Sequence, residues 1–98
     1  MKMARFRISD RADKDIGDIA RYTIERHGIE QARHYRAFII ACFEFLSENP
    51  EAGRAIDDVR IGYRCFNHQS HVIFYKADGR DVLIVRVLHN RMDVAQQL

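Results

Sequence analysis

The sequence has none of the motifs that announce a chemistry outright. There is no P-loop, no GxGxxG and no HExxH, so neither a cradled phosphate nor a helix-borne zinc site is signalled. The longest apolar run, Ala37 to Phe43, is far too short to span a bilayer, and residues 1–8 have no apolar signal-peptide core. A cytoplasmic location and no membrane partner are therefore expected. Cysteine is scarce: Cys42 and Cys65 lie far apart, without CxxC spacing, each among apolar residues. Packed free thiols are expected rather than a disulfide, a metal pair or a nucleophile. A strong charge of one sign is also missing. The formal charge of +2 is too slight to announce a nucleic-acid partner, although a pI near 8.7 is compatible with one. The histidines are scattered at positions 27, 34, 68, 71 and 89, and no metal or cofactor is expected. His27 and His34 sit among charged helical positions and read as solvent-exposed.

What the chain does contain is an ordinary globular composition. Over 98 residues, 47% are apolar and 31% charged, which argues against disorder and for one domain covering residues 1–98. No repeat, low-complexity segment or linker divides it.

The organising stretch is the C-terminal forty residues. His71 to Ala77 and Val82 to His89 flank Asp78-Gly79, and Asp-Gly between β-rich runs predicts a tight type I′ hairpin. Val82, Ile84 and Leu88 fall on one face of the second run and Leu83, Val85 and Val87 on the other, which predicts an interior strand. Arg86 interrupts the first set, and His89 ends the second.

Upstream, Ala4, Phe6 and Ile8 alternate with Arg5 and Arg7, the pattern of a short edge strand. Ser9 and Asp10 offer N-caps, and Asp13 and Asp15 suit the first turns of a helix. Its apolar side is Ala12, Ile16, Ile19, Ala20, Thr23 and Ile24, and Gly28 closes it. A second helix is predicted from about Glu30 to Glu48, its stripe running Ala32, Tyr35, Phe38, Ile39, Cys42, Phe43 and Leu46. Asn49-Pro50 ends it. The short link predicts an antiparallel helical hairpin. Residues 51–60 read as a surface loop, Ile61 to Phe66 as a strand, 67–70 as a polar connection, and 92–98 as one or two helical turns. The expected fold is α+β, in the order β-α-α-β-β-β, with an antiparallel sheet and the helical hairpin packed on one face.

The group Arg64, His68, His71, Arg86, His89 and Arg91 lies in or beside this sheet. Such a set suits phosphate binding by forked arginines, or RNA cleavage with a base, an acid and a cation. The bland alternative is solvated arginines, or arginines paired with Asp57, Asp58, Asp81 and Asp93. Free strand edges and an uncovered groove would suit an added partner segment.

Taken together, these stretches resemble the ParE toxins of type II toxin–antitoxin systems, within the ParE/RelE superfamily. The resemblance rests on Ser9, Ala12 and Asp15-Ile16; on Tyr22 to Gly28 and Gln31-Ala32 with Tyr35; and on Asn49-Pro50 with Gly53-Arg54. It continues through Arg60, Gly62-Tyr63-Arg64 and His71 to Tyr75, and ends in Val85 to Asp93. It implies the same β-α-α-β-β-β fold and a non-enzymatic toxin that poisons DNA gyrase and is linked to plasmid stabilisation. It also implies a hetero-oligomer with an antitoxin encoded beside the toxin. The antitoxin has a DNA-binding N-terminal part, often ribbon-helix-helix, and a C-terminal segment that folds over the toxin.

On this resemblance the expected target contacts are Arg86, His89, Arg91 and Met92, supported by Tyr63 and Arg64. Ile19, Tyr22, Phe38 and Phe45 are expected for the antitoxin. The alternative is a RelE-like ribosome-dependent mRNA endoribonuclease using His89, Arg86 and Arg91. Val72, where those enzymes often carry arginine, and the lack of a tyrosine in 93–98 weigh against it. A third possibility is a copy that has lost toxicity and serves its operon through the antitoxin alone.

Overall fold

The computed structural model describes residues 5–89. Its elements are β1 (Phe6–Ile8), α1 (Asp10–His27), α2 (Ile29–Glu48), β2 (Arg54–Ala55), β3 (Tyr63–His68), β4 (His71–Asp78) and β5 (Asp81–His89). The helical turns expected over 92–98 lie outside the described residues.

The helix boundaries follow from their caps. The Ser9 hydroxyl accepts the Ala12 N–H at 3.0 Å and satisfies one of the donors that a helix start leaves open. At Gly28 φ is +89°, a value that favours glycine, and this single residue joins α1 to α2. Asn49 stops α2 by directing both its N–H and its side-chain amide to the Phe45 carbonyl, at 2.8 and 3.0 Å.

The sheet order is β1-β5-β4-β3-β2. The α+β architecture stands as expected, but the sheet is mixed: β1 runs parallel to β5, with Phe6, Arg7 and Ile8 opposite Val82, Leu83 and Ile84. Strands β3, β4 and β5 are joined by tight turns and must alternate. The chain leaves β1 through a helical hairpin instead, so its direction is free of that rule, and a parallel pairing needs just such a long crossover.

Four further local differences appear. The turn after β4 uses Gly79-Arg80, because Asp78 and Asp81 still pair. Only Gly79 has positive φ (+66°), so the hairpin is of the II′ kind and not I′. Residues 51–60 are not only loop, since β2 pairs with Cys65 and Arg64, and Ile56 is buried. Ile61 is 87% exposed, and the strand starts at Tyr63. The most consequential difference is in β5. Phe74 pairs with Arg86 and Tyr75 with Ile84, leaving Val85 as the extra residue of a bulge. The bulge shifts the alternation by one residue, so Val82 and Ile84 share their cluster with Val87, and Leu88 joins the other.

The core is accordingly two-sided. Ala12, Ile16, Ile39, Phe43 and Leu46 of the helices bury Ile73, Tyr75, Val82, Ile84 and Val87 on one face. On the other, Ile56, Cys65, Val72, Phe74 and Leu88 form a smaller cluster under the segment that follows α2. That segment is fixed by Tyr75, whose hydroxyl accepts the Gly53 N–H at 2.7 Å and donates to the Pro50 carbonyl at 2.9 Å. A Cβ on Gly53 would lie 2.4 Å from that hydroxyl and 2.8 Å from the Cys65 carbonyl oxygen, which is why glycine stands there.

Candidate functional site

The start of α1 also closes the sheet. Strand β1 covers β5 only as far as Ile84, and beyond it the exposed edge is capped by helix residues. Ser9 N–H donates to the Ile84 carbonyl at 2.9 Å, and its hydroxyl donates to the Val85 carbonyl at 2.8 Å. The Asp15 carboxylate accepts the Val87 N–H at 3.0 Å and takes Arg86 in a forked pair, Nε at 2.7 Å and Nη2 at 3.0 Å. Both side chains are about nine-tenths buried. The Asp15 hydrogen bond raises the Arg86 pKa above its ordinary value, so the guanidinium stays charged. This is a framework contact. Arg86, expected to meet a target or a phosphate, is already held by a buried carboxylate. The signal for it was Asp15, an acid set between Ala12, Ile16 and Ile19 on the apolar side of its helix.

From about one turn further along α1, toward its junction with α2, the molecule is open. A cleft of about 560 Å³ lies between α1, α2 and the β3–β4 turn, lined by Ile19, Tyr22, Tyr35, Gln69, His71 and His89 among others. Large apolar side chains stand exposed around it and along α2: Tyr22 (56%), Ile29 (54%), Phe38 (56%) and Phe45 (45%). Phe38 stacks on His68 at 5.2 Å, and Phe45 lies 5.8 Å from Phe66, so α2 carries an aromatic margin beside β3. Exposed large apolar side chains around a cleft are how proteins present a docking surface.

At the floor of the cleft His71 is the strand partner of both His68 and His89. The His71 and His89 rings are 5.5 Å apart, and Tyr35 reaches down from α2 to within 5.0 Å of His71. Burial, then the neighbouring His89 and His68, hold the His71 pKa below its usual value, while burial pushes the Tyr35 phenol up. Gln69, in the turn beside them, has φ +53°, a left-handed conformation unusual for a residue with a side chain.

The expected site residues therefore separate. His89, expected at the target, shares the cleft with Ile19 and Tyr22, expected at the antitoxin. Phe38 and Phe45 continue the same face along α2. Tyr63 and Arg64 sit five and four residues back along β3 from His68, so Tyr63 is roughly 17 Å away at ordinary strand rise. There Tyr63 packs beneath the cations of Arg60 and Lys76, and Arg64 donates to the Gly53 carbonyl at 2.8 Å. Arg91 and Met92 lie outside the described residues. Tyr35 belonged to the predicted core stripe of α2, and no local pattern marked it as the lid of a histidine cluster. Cys42 is half-buried, with its pKa raised by burial, and Cys65 is buried; both are free thiols. Among the described residues no group of histidine, cysteine and acidic side chains is arranged to hold a metal, and no helix is long and apolar enough to cross a membrane.

The site is thus an aromatic, histidine-floored face of a small α+β protein, with no described arginine or lysine lining the cleft itself. The comparisons with known proteins say to which family it belongs. Residues 6–94 match the family model described as the ParE toxin of the type II toxin-antitoxin system, parDE, and the chain belongs to that family. It is 40% identical to Toxin ParE1 of Caulobacter vibrioides over 96 residues, covering 98% of this chain and 99% of that one. It is 36% identical to Toxin ParE1 of Mycobacterium tuberculosis over 96 residues, covering 97% and 98%. Among solved structures it is similar to a chain titled as the chromosomal ParDE TA system from P. aeruginosa, with a TM-score of 0.76 at 20% identity. That match covers 89% of this chain and 96% of the other, a likeness of fold.

Proposed function

We propose that this single domain is the toxin of a type II toxin–antitoxin pair, that it acts by binding rather than by catalysis, and that its target is DNA gyrase. Membership of the ParE family over residues 6–94 is the observation that carries the reading. The geometry supports the first two parts. Arg86 is tied to Asp15 and is not presented to a phosphate, which removes a cation that RNA cleavage would need. The exposed Tyr22, Ile29, Phe38 and Phe45 form an apolar face suited to an antitoxin segment that orders as it binds. On this reading Ile19, Tyr22, Phe38 and Phe45 take the antitoxin, and His89 with Arg91 and Met92 serves the target.

The test is a gyrase supercoiling assay with the toxin alone and with antitoxin added, run beside a ribosome-dependent mRNA cleavage assay. Loss of supercoiling with trapped DNA breaks, reversed by antitoxin, is the expected result. Intact supercoiling with cleaved message would make the protein an endoribonuclease, and activity in neither assay would overturn the gyrase assignment.

A further inference from the structure

A second surface lies at the far end of β3 from the cleft, on the loop that joins β2 to β3. Ile61 on this loop is 87% exposed and Val59 43%, yet the loop is tied down at its base and across its span. The Ile56 N–H donates to the Tyr63 carbonyl at 2.9 Å and closes it, with the Ile56 side chain buried. Within it the Ile56 carbonyl accepts the Val59 and Arg60 N–H groups at 2.8 and 2.9 Å, and the Asp57 carboxylate accepts the Gly62 N–H at 2.8 Å. A lone apolar side chain in solvent is ordinary. Two on a hydrogen-bonded loop are a different matter, because the chain freedom that docking would cost has already been lost on folding.

The charge around Ile61 says what the loop fits. Arg60 and Lys76 lie over the Tyr63 ring at 5.6 and 5.5 Å, and Lys76 is the cross-strand partner of Tyr63. Arg54 stands on the neighbouring strand, opposite Cys65. Among the described residues none of these three cations is paired with a carboxylate. The acids of this region are Asp57, engaged with Gly62, the exposed Asp58, and Asp78, which is taken by Arg7. The patch is an apolar knob with a cationic margin, and its complement is a protein surface with an apolar recess rimmed by carboxylates. A phosphate backbone would match the cations but set Val59 and Ile61 against charged oxygens.

We propose that the loop over residues 56–63 grips the toxin's protein target, with Ile61 entering an apolar recess and Arg60 and Lys76 meeting acidic side chains on its rim. The assignment to the target rests on the function proposed above. On that reading the antitoxin takes the cleft and the aromatic margin of α2, and Tyr63 lies roughly 17 Å along β3 from His68 at that margin, so the loop stays open to the other partner.

The test compares the whole chain with its Ile61→Ser, Ile61→Leu and Arg60→Glu variants in growth arrest of cells lacking antitoxin, in binding to purified gyrase, and in binding to antitoxin. Ile61 is in solvent, so its substitution should leave the melting temperature unchanged. Ile61→Ser is expected to weaken growth arrest and target binding about tenfold or more, and Ile61→Leu to keep both. Arg60→Glu should slow association and flatten its salt dependence, and all three variants should bind antitoxin as the parent does. Growth arrest decides the loop and gyrase binding decides the target. Arrest lost in Ile61→Ser when even the parent chain does not bind gyrase would uphold the loop and overturn the gyrase assignment. A folded Ile61→Ser protein that arrests growth like the parent would overturn the loop, as would a loss of antitoxin binding or an equal loss of affinity for duplex DNA alone. A parent chain that neither arrests growth nor binds gyrase would overturn both.

Discussion

The two ends of the helical hairpin solve opposite problems. Where α1 begins, the buried polar groups at the open edge of β5 are matched: the Ser9 hydroxyl serves both the helix and the Val85 carbonyl, and Asp15 accepts from Arg86 and Val87. Where α1 gives way to α2, three buried polar atoms lack partners and large aromatic side chains stand in solvent. Satisfied polar networks fix a unique structure, and unsatisfied ones with exposed aromatic groups mark places that bind or move. The first end is a frame, and the second is the face proposed above to bind, the working face on that reading.

The comparison is broken most severely at the frame. Asp15→Ala leaves a buried guanidinium and the Val87 N–H without their acceptor, and is expected to cost about 3–5 kcal/mol in urea unfolding. A change below about 1 kcal/mol would show that the pair is not holding the edge. Substitutions at the other end should behave in reverse. Phe38→Ala is expected to change stability by less than about 1 kcal/mol yet weaken antitoxin binding by about 2 kcal/mol or more, as removal of an aromatic anchor does. Calorimetric titration beside a melting curve separates the two effects.

A smaller effect is expected where the segment after α2 meets the sheet. Tyr75→Phe removes the bonds to Gly53 and Pro50 and should destabilise by about 1–3 kcal/mol, read from the shift in denaturant midpoint. The smallest is at the turn beside the cleft. Gln69→Gly relieves the positive φ at the expense of chain entropy and should stabilise by less than about 1 kcal/mol. A destabilised Gln69→Gly protein would mean that the side chain itself is needed.

The frame and the working face were not equally legible in the sequence. The helices were, because their ends are written in single residues: Ser9, Gly28 and Asn49 each perform the capping their chemistry suggests. The interior position of β5 was, because the run from Val82 to Leu88 is apolar on both faces. The phase of β5 was not. One bulged residue, Val85, reverses every later side chain, and nothing in a run of alternating aliphatics marks where the extra residue falls. That error placed Arg86 with Val82 and Ile84 and hid its pairing with Asp15, a contact between residues 71 positions apart. Ile61 looked like strand because its neighbours alternate, but Gly62 at φ +84° turns the chain before Tyr63.

On the working face Tyr22, Phe38 and Phe45 stand exposed, although Phe38 belonged to the predicted apolar stripe of α2. The convergence of His68, His71 and His89 under Tyr35 depends on the register of three strands and the placement of α2, which no linear spacing encodes.

Hydrogen exchange of the whole chain, with and without its antitoxin, tests the division between frame and working face most directly. New protection over residues 19–45 and 66–71, with the amides of residues 10–15 and 84–87 unchanged, is the result expected. Protection that appears over residues 10–15 and 84–87 and leaves 19–45 and 66–71 untouched would contradict it.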